Sequence, residues 1–119
     1  MIGIASMSSE RERNRLLDIV ENAQYVAEYL NGMNFEQFAE SRMTVDAIER
    51  CLQRITEAVI RIGEQRMAVI AAEVPFHALR GLGNRLRHEY DMVDHEIIYA
   101  AAVHDVPRLA ERCRVALGQ

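Results

Sequence analysis

The sequence has no tryptophan, only two prolines and few other aromatics, so any core it forms must be packed from aliphatic side chains. It has two cysteines, Cys51 and Cys113, far apart and without the close spacing of a disulfide framework or a metal knuckle. A reduced, cytoplasmic chain is the expectation. It lacks an excess of positive charge: the formal net charge is -4, which excludes a global basic field drawing it to nucleic acid or anionic membrane. Any contact with RNA must therefore come from a local cluster. No apolar run approaches the roughly 20 residues that span a bilayer. The opening Met1-Ile2-Gly3-Ile4-Ala5-Ser6-Met7 has neither the basic start nor the apolar stretch of a secretory signal. Residues 1–7 are expected to be a flexible tail, with Met7 an alternative start, and 8–119 a single domain.

What is present is ordinary globular material. Half of the 119 residues are hydrophobic and 27% are charged, too apolar for a disordered chain. A domain of this size buries about two thirds of its unfolded surface, so pairing of subunits would add to its stability.

Apolar spacing then divides the chain. Ser8 and Ser9 before Glu10 and Glu12 predict a helix start. Leu16, Ile19, Ala23, Val26 and Leu30 follow at spacings that keep one stripe, closed by Asn31-Gly32. Asn34-Phe35-Glu36-Gln37 reads as a capping arrangement opening one or two turns. A second long helix is predicted from Ser41 or Thr44 to Arg66, with the seam Val45, Ile48, Leu52, Ile55, Val59 and Ile62. Pro75 restarts the chain, and Leu79, Leu82 and Leu86 mark a helix from Phe76 to Tyr90. Asp94 can cap a fourth helix, which Asp105-Val106-Pro107 is expected to break or kink before Leu109, Cys113 and Leu117. No segment alternates with a period of two. The predicted fold is all-α, an up-and-down helical bundle of four to five helices, dimeric.

Chemistry concentrates in Arg80-Gly81-Leu82-Gly83-Asn84-Arg85-Leu86-Arg87-His88-Glu89-Tyr90. At about 100° per residue, Arg87, Arg80, Asn84 and His88 fall within roughly 100° of one another, opposite the leucines. Two guanidiniums, an amide and an imidazole on one face can hold a phosphodiester and move a proton. Spacing alone favours the plainer reading, a solvated basic face. Gly81 and Gly83 each cost about 1 kcal/mol against alanine in a helix, which suggests a close approach or a bend.

The stretch Phe76 to Asp94, FHALRGLGNRLRHEYDMVD, resembles the signature of HepT-like proteins of the HEPN superfamily, and the likeness runs from about Arg11 to Leu117. The family motif is Arg, four residues, His, one residue, Tyr, usually with a polar residue after the Arg. Here the His is His88, the Tyr is Tyr90 and the polar residue is Asn84, while the Arg position holds Gly83. Arg87 or Arg80, each about one turn away, offers a substitute guanidinium.

The resemblance implies a dimeric, metal-independent RNA endonuclease with a His/Arg site at the dimer interface. It implies a toxin paired with a nucleotidyltransferase antitoxin that silences it by AMPylation of Tyr90. The 2′-hydroxyl of RNA would attack the adjacent phosphorus while imidazole moves the proton and guanidinium takes the charge. The candidate catalytic residues are His88, Arg87, Arg80 and Asn84. No metal and no cofactor is expected: His77, His95 and His104 lack ligand spacing. Gly83 motivates a second reading, a nuclease-dead binding subunit of a nucleotidyltransferase, and Gly83→Arg is the change expected to separate the two. Glu57, opposite the Ile55/Val59 seam, reads as solvated or turned to a partner. Tyr90 borders the apolar side and also reads as a packing residue.

Overall fold

The computed structural model describes residues 9–88 and 92–119, so the tail at 1–7 and Tyr90 lie outside the described residues. Among the described residues every regular element is a helix: α1 (Glu10–Leu30), α2 (Phe35–Glu40), α3 (Arg42–Ile62), α4 (Glu64–Ile70), α5 (Phe76–Arg87), α6 (His95–Ala100) and α7 (Val106–Ala116). A wide π turn, Ala101–Asp105, joins α6 to α7 without a break. The result is an elongated bundle, 52 × 28 × 22 Å. Three long rods, α1, α3 and the α6–α7 unit, carry α5 and two short helices.

The two 21-residue helices α1 and α3 pack along their lengths, about 31 Å each at 1.5 Å per residue. Ser9 caps α1 by accepting from Glu12 N at 3.1 Å. The helix closes at Asn31 and Gly32, with φ of 44° and 76°. Leu16, Ile19, Ala23, Val26 and Leu30 are all buried against the α3 seam of Val45, Ile48, Leu52, Ile55 and Val59. Between them the expected capping box is complete: Asn34 Oδ1 accepts from Gln37 N at 2.8 Å, and Asn34 N donates to Gln37 Oε1 at 2.9 Å. Phe38 is fully buried, and Tyr99 Oη donates to Met33 O at 2.7 Å, fastening α6 to this corner.

Three boundaries differ from those the periodicity predicts. The second helix stops at Ile62 rather than Arg66, because Gly63 takes φ 90° and the chain restarts immediately as α4. The third ends at Arg87 rather than Tyr90. Gln53 on α3 donates to Leu86 O at 2.9 Å, occupying a carbonyl of the last turn, and His88 takes extended angles. Finally, Pro107 does not interrupt the last rod. Proline lacks an N–H and crowds the carbonyl four residues back. The π turn absorbs this, with Val106 N–H reaching back to Ala101 O.

One tie was not legible from patterning. Arg66 on α4 grips Glu12 on α1 with two bonds, Nε to Oε1 at 2.6 Å and Nη2 to Oε2 at 3.0 Å, and the Glu12 side chain is only 9% exposed. Arg66→Ala strands that carboxylate. The expected loss is about 2–3 kcal/mol, below the roughly 3–5 of a fully buried pair because Arg66 keeps some solvent contact. Urea denaturation measures it, and an unchanged midpoint would mean that water serves Glu12 as well as Arg66 does.

Candidate functional site

The site is built where the end of α5 crosses α3. Gly83 is buried in that crossing, and a Cβ built on it would lie 2.6 Å from Thr56 Oγ1 and 2.7 Å from Thr56 Cβ. Thr56 is itself fixed: it is 1% exposed and its hydroxyl donates to Leu52 O at 2.7 Å. Gly83 is thus the residue that lets the two backbones approach. Gly81, with nothing within 4 Å of its would-be Cβ, has no such role.

That close approach carries the last turn of α5 onto the polar side of α3. Arg87 Nη1 binds Glu57 Oε2 at 3.0 Å, and Arg87 Nη2 donates to Asn84 Oδ1. Glu57 is shared, since its Oε1 accepts from Arg61 Nε at 2.8 Å. The Arg61 hydrogen bond is the largest influence; burial opposes it, the charges of Arg61, Arg87 and Arg15 add to it, and the Glu57 carboxyl lies below the ordinary carboxylate range. Glu57 is therefore an anion at neutral pH and Arg87 is oriented by it.

His88 follows Arg87 directly and lies exposed at the helix end. Arg85 Nη2 donates to Met92 O at 3.4 Å. Arg87 and Asn84 thus touch, and His88 adjoins them in sequence. Arg80 is not gathered into this set; its guanidinium lies over the Phe76 ring, 5.8 Å from the centroid. Tyr90 lies outside the described residues.

Glu57, Gln53 and Thr56 are the partners that sequence reasoning did not assign to the site. Each contacts a residue about 30 positions away, and only the i,i+4 pairing of Glu57 with Arg61 is visible in the sequence. Among the described residues no group of three or more His, Cys, Asp or Glu is placed to hold a metal ion, and no helix is long and apolar enough to cross a membrane. Cys51 and Cys113 are both buried free thiols, and burial pushes Cys113 up to about 12, so it is no nucleophile.

Comparison with known proteins gives the family. The family model described as "Ribonuclease HepT-like" matches residues 19–116. A protein of Methanocaldococcus jannaschii named "Putative RNase MJ0127" is 31% identical over 101 residues, covering 85% of this chain and 83% of its own. One of Caldanaerobacter subterraneus named "Putative RNase TTE0752" is 27% identical over 105 residues, covering 88% and 93%. "Probable ribonuclease HepT" of Thermococcus cleftensis is 27% identical over 97 residues, covering 82% and 87%. No solved structure gives a significant match. The chain belongs to the HepT-like ribonuclease family.

Proposed function

We propose that the chain is an RNA endonuclease in which His88 moves the proton and Arg87, in place of the family arginine, stabilises charge on the phosphate. The observation that carries this is the Glu57–Arg87–Asn84 cluster beside His88: a guanidinium held by a carboxylate and an amide at the residue preceding the imidazole. Two N–H donors of Arg87 are engaged, and the guanidinium carries five, so donors remain for a phosphate oxygen. Asn84 positions Arg87 rather than meeting substrate. The active unit is a homodimer in which two copies of His88 share one site, one as base and one as acid. The test is direct. Purified protein in chelator should cleave single-stranded RNA to products ending in cyclic phosphate, and His88→Ala should abolish cleavage. Intact RNA at high enzyme concentration refutes this reading.

A second reading rests on Gly83. A family arginine cannot stand where Thr56 fills the space, and a chain that has lost it can persist as a binding subunit of a nucleotidyltransferase. Such a chain would bind its partner normally and leave RNA uncut.

Under either reading the partner is a nucleotidyltransferase antitoxin, and the chain is the toxin-like half of the pair. AMP attached to Tyr90 would set a bulky anion near Arg87 and His88, excluding RNA by charge and by size. Incubated with its cognate nucleotidyltransferase and ATP, the wild-type chain should gain the mass of AMP, and Tyr90→Phe should not. Mass appearing on the Phe variant would return Tyr90 to a packing role.

A further inference from the structure

The outward side of α1 carries a pattern that the fold itself does not use. Helical phase sets Arg13, Leu17, Val20, Gln24 and Glu28 within about 80° of one another, a stripe at spacings of three and four. Leu17 is 43% exposed and Val20 only partly buried, while Arg13, Gln24 and Glu28 are exposed. Arg13 and Glu28 form no ion pair among the described residues. The stripe lies on the flank of α1 away from the Arg87 cluster. Gln24 and Ala27 border an apolar groove of about 590 Å³ against Val103 and Pro107, whereas Asp18 and Asn22, on the other flank, share a groove with Arg87.

Charge on α1 runs against the helix dipole. Its three arginines, Arg11, Arg13 and Arg15, lie at its start; beyond them come only Asp18, Glu21 and Glu28, with no basic residue in the last turn. The start of a helix favours carboxylates and its end favours cations. Glu10 and Glu12 follow that rule, and Glu12 is committed to Arg66. The remaining charges oppose it, so their compensation comes from outside the helix. A second α1 laid antiparallel supplies it at both ends. Its carboxylates and the negative end of its dipole come beside the arginines of the first, and its arginines beside Glu28. A parallel neighbour would only repeat the conflict.

We infer that this stripe is a contact with a second copy of the chain, the two α1 helices running antiparallel about a two-fold axis between Val20 and Glu21, so that Arg13 meets the partner's Glu28. Positions 13 and 28 are equidistant from that axis, as are 17 and 24. The axis therefore makes the ion pair twice and brings the partner's Leu17 to Gln24 at the mouth of the apolar groove. Glu21 falls close to its own copy; its carboxylate accepts from Tyr25 Oη at 3.2 Å, further round the helix, where Tyr25 stacks on Tyr29. The contact is separate from the homodimer that shares His88, and a chain with two different two-fold contacts assembles as a tetramer. It does not rest on the ribonuclease reading.

The experiment is sedimentation equilibrium of the full chain at micromolar concentration, in low and in high salt. The wild type should have the mass of four chains, falling toward two as salt screens the ion pairs. Arg13→Glu or Glu28→Arg alone should weaken the contact about tenfold or more, because the axis sets each pair of like charges twice. The two changes together should restore it. Glu21→Gln should tighten it by removing the repulsion beside the axis. Each single reversal moves α1 toward the preference of its own dipole, so circular dichroism should show the fold intact. RNA cleavage per chain should stay unchanged, since none of these residues touches Arg87 or His88. A mass of two chains that neither reversal moves would overturn the contact, and so would a double reversal that fails to restore it. Variants that keep their mass but lose the cognate nucleotidyltransferase would give the face to that protein and overturn the self-contact. A dimer that either reversal splits into single chains would keep the contact and refute the shared His88 site, whereas tetramers that cut no RNA would refute only the nuclease.

Discussion

Adding a single methyl group at position 83 is expected to destabilise the protein by about 1–3 kcal/mol, the usual cost of overfilling a packed interior. The sign makes this informative. Replacing glycine by alanine inside a helix ordinarily gains about 1 kcal/mol, and helix propensity alone predicts that Gly83→Ala stabilises. The structure predicts the opposite, because the new Cβ would sit 2.6 Å from a buried hydroxyl whose hydrogen bond holds it in place. Gly83→Arg should be worse still. It therefore does not separate an active from an inactive chain as the sequence suggests, since loss of function would follow from loss of fold. Thr56→Gly removes both clashing atoms, so the double variant with Gly83→Arg should recover much of the stability lost by Gly83→Arg alone. Thermal denaturation of the variants checks this, and a Gly83→Ala protein that melts with the wild type would remove the packing argument.

Arg87→Ala is expected to lower kcat/KM for RNA cleavage by about 10²–10³, the scale of losing one donor aimed at developing charge. Arg87→Lys should recover little of it, because a lysine cannot bind Glu57 and phosphate with one planar fork. Arg80→Ala should change the rate little, since that side chain lies over Phe76 two turns away. Glu57→Gln should fall between, as a positioning change that keeps Arg87 but loosens its aim. Acid should act on the same pair. Glu57 is held below the ordinary carboxylate range, so its ion pairs persist well into mild acid and are lost only as pH falls through that lowered value. Equal rates for Arg87→Ala and wild type would move the phosphate-binding role to another side chain.

The long rods were legible because their cores are written at spacings of three and four in aliphatic residues. Leu16 to Leu30 and Val45 to Val59 are buried as that pattern requires. Caps were legible where the residue type carries its own chemistry, as Asn34 with Gln37 does. Legibility failed where a decision depends on distant partners. Nothing around Arg87 announces that Gln53 will take the carbonyl of Leu86 and end the helix there. Along the polar stripe Arg87 and Asn84 meet as helical phase requires, whereas His88 lies beyond the end of the helix and the Arg80 guanidinium lies over the Phe76 ring. Glu57 reads in the sequence as either solvated or turned to a partner, because its cross-helix partner lies 30 residues on. The cost of Gly83 in a helix already suggests a close approach or a bend, but only α3 laid against it supplies the neighbour, Thr56.

The wide turn at Ala101–Asp105 makes one rod behave as two. A π turn holds one residue more than an α turn, so the helical phase slips by about 100° across it. The half before it rests on α2 and α3, whereas the half after it rests on α1 and α4. One uninterrupted spine thereby clasps both sides of the bundle without a loop. Its register is then a counted quantity: dropping a single residue between Ala101 and Asp105 would restore ordinary pitch, swing the buried Leu109 and Cys113 out of the core, and bring the ring of Pro107 against a regular turn with no room for it.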